Sequence, residues 1–172
     1  MRNVRLQFED ECYPVWIGVR CMDKIISNLR ELSASSYHLI TDRTVSQLHA
    51  GILFEQLSTQ TPASLWVIDN GESFKSLETV EYLAREMVKG GIDRGSVIVA
   101  VGGGVIGNLS GLTAALLFRG IRFVHVPTTL IAAADSVASL KQAVNLSVGK
   151  NLLGCFHKRS EEHTSELQSP PL

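Results

Sequence analysis

Gly102-Gly103-Gly104-Val105-Ile106-Gly107 satisfies G-x-G-x-x-G, between an uninterrupted apolar run from Val97 to Val101 and a second from Val105 to Phe118. Missing β-carbons let a pyrophosphate approach the backbone, and the free N–H groups of a helix start point at it. The placement between a buried strand and a helix is where the motif has physical meaning, so nucleotide or phosphate binding is expected. The other reading is a glycine turn needed only for tight helix packing. An ordinary dinucleotide fold places an acidic residue about 20 residues later, at the end of the next strand, for the ribose hydroxyls. Here that strand ends Val126-Pro127-Thr128-Thr129, with no carboxylate. The two threonine hydroxyls either bond ribose or a nicotinamide amide, or cap the next turn.

Asp135, Lys141, Lys150 and Asn151 lie further along, in a stretch otherwise rich in Ala, Ser, Val and Leu. Their isolation argues against a solvated charged face. Lysine suits a substrate phosphate or carboxylate as a point charge, and near another cation it titrates low enough to move protons. Ordinary lysines of a surface loop are the alternative.

Strands alternating with helices must position these groups. Val4 to Phe8 alternates with period two and Tyr13 to Gly18 is apolar, which together predict a hairpin. Cys21 to Leu32 reads as an amphipathic helix, Tyr37 to Thr41 as a short buried strand ending at Asp42, and Val45 to about Leu57 as a second helix. Leu65 to Ile68 is a strand. Leu77, Val80, Leu83, Ala84, Met87 and Val88 form one helical stripe that Gly90-Gly91 stops. Val97 to Val101 is a strand buried on both faces, Val105 to Phe118 a helix, and Arg122 to Val126 the next strand. The pattern predicts an α/β fold with a Rossmann-like, mostly parallel sheet.

With 172 residues, 45% of them hydrophobic and 19% charged, the chain can bury a real core, which excludes wholesale disorder. Its 16 basic and 17 acidic residues give a net charge of -1. That excludes a strong global pull toward nucleic acid or an anionic membrane. Val97 to Phe118 carries no charge and is long enough to cross a bilayer, with Gly103, Gly107 and Gly111 at four-residue spacing. Three consecutive glycines with Asn108 and Ser110 favour strand, turn and helix instead. Cys12, Cys21 and Cys155 are odd in number and follow no C-x-x-C spacing, so free thiols in a reducing cytoplasm are expected. The N-terminus has no apolar signal core. From Arg159 onward the chain turns to Ser, Glu, Gln, Thr and Pro, and Arg159 to Ser169 also looks like a translated sequencing adapter. Residues 159–172 are therefore expected to be a non-native or disordered tail after a domain at 1–158.

Gly102 to Asn108, Phe118 to Arg122, Val126 to Thr129, Asp135 through Asn151 and Gly71 to Lys75 (Gly-Glu-x-x-Lys) together resemble the sugar phosphate cyclase family, the 3-dehydroquinate synthase-like enzymes. Asn108, where an aspartate is usual in 3-dehydroquinate synthase, and Ser139-Leu140 before Lys141, where that enzyme has Gly-Gly, look like the 2-deoxy-scyllo-inosose synthase branch. The resemblance implies tightly held NAD, a divalent metal, usually zinc or cobalt, and several steps in one site. A ring hydroxyl is oxidised, phosphate is eliminated, the ketone is reduced again, and the opened sugar closes by aldol addition. For this branch the substrate is glucose 6-phosphate and the product the carbocycle of aminocyclitol antibiotics. Another cyclase branch, 3-dehydroquinate synthase included, and a nucleotide-binding module without catalysis are the alternatives.

By motif position, Asp42, Glu72, Lys75, Gly103, Gly104, Asn108, Thr128 and Thr129 are expected to contact NAD. Asp135, Lys141, Lys150 and Asn151 are expected at the substrate, as the catalytic set. The family's metal ligands, a glutamate and two histidines, belong to a helical C-terminal domain that these residues do not include. His125 reads as a satisfied strand histidine, and His38, His49, His157 and His163 fit no ligand pattern, so no metal site is expected in this chain. The resemblance further implies a sugar phosphate partner, a homodimeric parent and a cytoplasmic enzyme, with this chain inactive alone.

Overall fold

The computed structural model describes residues 2–8, 11–136, 139–157 and 161–166. The first two runs pair as expected: β1 (Arg2–Phe8) and β2 (Glu11–Val19) form an antiparallel hairpin with Val4 opposite Val15. α1 (Met22–Glu31) buries Ile25, Ile26 and Leu29. β3 (Tyr37–Asp42) leads into a helical segment of α2 (Arg43–Val45), a π-helical turn at Ser46–Ala50 and α3 (Gly51–Ser58). This segment starts before Val45 because the Asp42 carboxylate accepts the Val45 N–H at 2.9 Å and caps it.

β4 (Ala63–Ile68) ends in a loop whose 3-10 turn spans Glu72–Phe74. In α4 (Leu77–Lys89), Ser76 caps the first turn and Val80, Leu83 and Met87 are buried, as the stripe predicts. β5 (Val97–Gly102), α5 (Gly104–Leu116) and β6 (Arg122–Pro127) follow. The apolar helix stops short of Phe118, which with Arg119 takes a positive φ in a 3-10 turn.

Seven strands, the last of them β9 (Glu161–Glu166), form one sheet in the order β1-β2-β9-β6-β5-β3-β4, with β6, β5, β3 and β4 mutually parallel. Successive side chains of a strand point to opposite faces. Val97, Val99 and Val101 accordingly join α1 and α3 in one core layer, while Ile98 and Ala100 join α4 and α5 in the other. The glycines of α5 serve this packing. A Cβ on Gly107 would lie 2.8 Å from the His125 ring, and one on Gly111 would fall inside the Gln142 side chain. Among the described residues no helix is long and apolar enough to cross a membrane.

Two elements were not read from the sequence. β7 (Lys141–Leu146) and β8 (Gly149–Phe156) form a separate antiparallel hairpin where no element was expected. Glu161–Glu166, within the stretch 159–172 expected to be a non-native or disordered tail, forms β9, which pairs parallel with β2 and β6. The physical reason lies in the open edges of β2 and β6. A ladder is made by backbone N–H and C=O groups, so even a polar segment satisfies them. The rest of that tail, and Lys158 at the expected domain boundary, lie outside the described residues.

Candidate active site

Chain order turns one way from β3 to β4 and the other way from β5 to β6, so the carboxyl ends of β3 and β5 flank the switch point where such sheets bind ligands. Asp42 ends β3, the glycine turn ends β5, and Thr128 and Thr129 follow β6. A cavity of about 790 Å³ opens there. Of the expected NAD contacts, Glu72, Lys75, Gly103, Gly104, Asn108 and Thr129 line it; of the expected substrate contacts, Asp135, Lys141, Lys150 and Asn151 do. Asp42 and Thr128 stand outside the lining, Asp42 with its carboxylate engaged in the cap of α2.

The glycine turn is shaped as a phosphate cradle. A Cβ on Gly104 would meet nothing within 4 Å, whereas one on Gly102 would lie 2.6 Å from Ile106. Gly102 is therefore required by packing, and Gly104 leaves open the space over the first N–H groups of α5, which have no intrahelical partner. Thr128 donates its backbone N–H to Gly102 O at 3.0 Å, and its Oγ1 is buried with no hydrogen-bond partner among the described residues. Thr129 caps instead, its hydroxyl accepting the Ala132 N–H at 3.2 Å. Of the two readings of the threonine pair, the cap is the one seen, at Thr129. The open cradle at Gly104 fits the pyrophosphate of a dinucleotide.

Asn108 bridges two backbones. Its Nδ2 donates to Gly104 O at 2.8 Å and its Oδ1 accepts the Ala143 N–H at 2.9 Å, tying β7 to the start of α5. On the other wall Lys75 is only 6% exposed and donates to Asn151 Oδ1. Burial holds the Lys75 ammonium below the usual lysine range; Glu72 offsets this in part, and Lys150 pushes it further down. Lys141 and Lys150 are exposed and enter no ion pair among the described residues.

Asn145, which the sequence reading did not single out, donates to Glu72 Oε1 at 2.8 Å. Its only signal is a polar residue in the strand that carries Lys141. Among the described residues no three His, Cys, Asp or Glu side chains converge as metal ligands. His38 is held by Ser36 and Trp66, and His125 is fully buried in β6. The residues present do not fit a bound metal, and no step below is routed through one.

The parallel sheet with a glycine turn at its switch point defines a Rossmann-like α/β domain. The sequence profile of the 3-dehydroquinate synthase N-terminal domain matches residues 65–164, more than half of the chain, which belongs to that family. It is 49% identical to 2-deoxy-scyllo-inosose synthase of Streptomyces kanamyceticus, covering 100% of this chain and 45% of the relative. It is 52% identical to the enzyme of that name from Micromonospora echinospora, over 90% of this chain and 39% of the relative. The chain thus spans less than half the length of these relatives. A crystal structure of 2-deoxy-scyllo-inosose synthase complexed with carbaglucose-6-phosphate, NAD+ and Co2+ superposes with a TM-score of 0.88 at 35% identity, over 95% of this chain and 45% of that one. A 2-epi-5-epi-valiolone synthase from Streptomyces hygroscopicus with NAD+ and Zn2+ bound gives 0.79 at 31% identity, covering 93% and 44%.

Proposed function

We propose that this chain carries the NAD- and sugar phosphate-binding part of an enzyme that converts glucose 6-phosphate to 2-deoxy-scyllo-inosose with release of phosphate, a phosphate-eliminating carbon-oxygen lyase. The observation that carries the reading is that the glycine cradle and two lysines without ion-pair partners among the described residues open on one cavity. Similarity to relatives of that name supports it, as does the NAD+ and carbaglucose-6-phosphate bound in the structural neighbour.

NAD held at the glycine cradle would supply a hydride acceptor for a ring carbinol carbon and a hydride donor once phosphate has left, so that the overall conversion would be redox-neutral. The chain's own residues do the rest. The N–H groups of Gly104 and its successors take the pyrophosphate. Lys141 and Lys150 hold the sugar phosphate as point charges, while Asp135 and Asn151 orient its hydroxyls. Metal coordination belongs, on this reading, to the part of the relatives' length that this chain does not match. A homodimeric parent and a cytoplasmic setting belong to the same proposal.

The test is complementation. The chain alone, given glucose 6-phosphate, NAD and cobalt, is expected to release no phosphate above a no-protein control. Co-expression with the unmatched part of the Streptomyces kanamyceticus relative is expected to restore phosphate release and the carbocyclic product. A complemented pair that turns over a heptulose phosphate but not glucose 6-phosphate would move the reading to another cyclase branch.

A further inference from the structure

We infer that Asn145 is a positioning residue that holds Lys75 and Asn151 in register at the sugar-phosphate end of the cavity. The inference rests on the functional reading above and adds a residue to it. β7 and β8 pair regularly to Val144↔Leu153, after which the register shifts and Leu146 faces Gly149. Asn145 therefore stands opposite a bulge that contains Lys150 and Asn151, and Asn151 takes a positive φ of 57° there. A bulge leaves ladder groups unpaired, and such bulges re-aim side chains beside functional sites.

Asn145 replaces what the bulge removes. Its Oδ1 accepts the Asn151 N–H at 2.9 Å, filling the missing ladder bond with a side chain. Its own backbone N–H turns outward to Lys75 O at 2.8 Å, and its Nδ2 reaches Glu72 Oε1. One residue thus joins the Glu72–Lys75 turn to the Lys150–Asn151 bulge, and the Lys75 ammonium closes the ring by donating to Asn151 Oδ1. The amide is needed at both ends. An aspartate would keep the acceptor toward Asn151 but lose the donor and set two carboxylates together, at Glu72 and at position 145.

Amide hydrogen exchange and calorimetric titration with glucose 6-phosphate at saturating NAD test this on the 172-residue chain. In Asn145→Ala, exchange at the Asn151 amide is expected to rise at least tenfold while residues 97–102 keep their protection, which serves as the folding control. Asn145→Asp is expected to keep Asn151 protected but to loosen residues 72–75 and weaken glucose 6-phosphate binding at least fivefold. Adding Glu72→Gln reverses the donor and acceptor, and the double variant is expected to recover protection at 72–75 relative to Asn145→Asp alone, a recovery that a general packing role would not produce. Unchanged Asn151 exchange in Asn145→Ala, or no recovery in the double variant, would overturn the inference. If the unaltered chain binds no glucose 6-phosphate, the functional reading fails, and the exchange comparisons still decide for or against Asn145.

Discussion

At the residue scale, the glycine turn separates binding from stability. Gly104→Val puts a side chain into open space above the helix start, so NAD affinity should fall at least tenfold while the melting temperature stays within a degree or two of the original. Gly102→Ala forces a Cβ against the buried Ile106 side chain and should cost about 1–3 kcal/mol, read as a lower denaturation midpoint. Equal NAD affinity in Gly104→Val would remove the cradle assignment. His38 supplies a pH dependence. Burial lowers its pKa below the ordinary value of 6.5, and Asp93 opposes this in part. The fold therefore favours the neutral ring. This contribution is fully present above about pH 6.5 and is lost as pH falls through the depressed value. His38→Gln should flatten the decline in melting temperature between about pH 7 and pH 5. That the glycines and lysines would gather at one cavity was legible in the sequence, because residue type and spacing single them out. Asn145 was not, since its role comes from a bulge that no local pattern encodes.

At the element scale, hydrophobic period specified most of the fold. The α4 stripe and the unbroken β5 run could hardly pack otherwise. The β7-β8 hairpin escaped because tertiary contacts hold it: Gln142 and Val144 are buried against α5, and Asn108 supplies a hydrogen bond that a sequence pattern does not announce. Gly154 lies so close to the Gln142 carbonyl and to Ala143 that a Cβ there must collide with backbone. Gly154→Ala should accordingly open the hairpin, exposing the amides of residues 141–156 to exchange while β5 and α5 remain protected. Full protection of both strands in that variant would show that the close approach is dispensable.

At the scale of the whole molecule, β9 joins two groups of strands. β2 and β6 each pair with β9, and no ladder links them directly among the described residues. Thr164→Pro removes an N–H from the middle of this strand, where proline is hardly tolerated, and should uncouple the β1-β2 hairpin from the sheet. Limited proteolysis should then cut near Gly18 and Val19 first, with the β3-β6 region intact; simultaneous loss of both regions would mean that the sheet melts as one unit. The polarity of Glu161 to Glu166 hid this element, because strand prediction reads side chains whereas the ladder is made by the main chain.

The position of β9 also bears on how the chain leaves the ribosome. The β1-β2 hairpin is synthesised first, yet Val15 meets its neighbour Glu162 only after every other sheet strand has been made. Through that interval the edges of β2 and β6 stay open, and unpaired edges accept whichever strand is nearest. On a crowded polysome the nearest strand belongs to another nascent copy, so the yield of monomer should fall with expression rate and recover when synthesis is slowed.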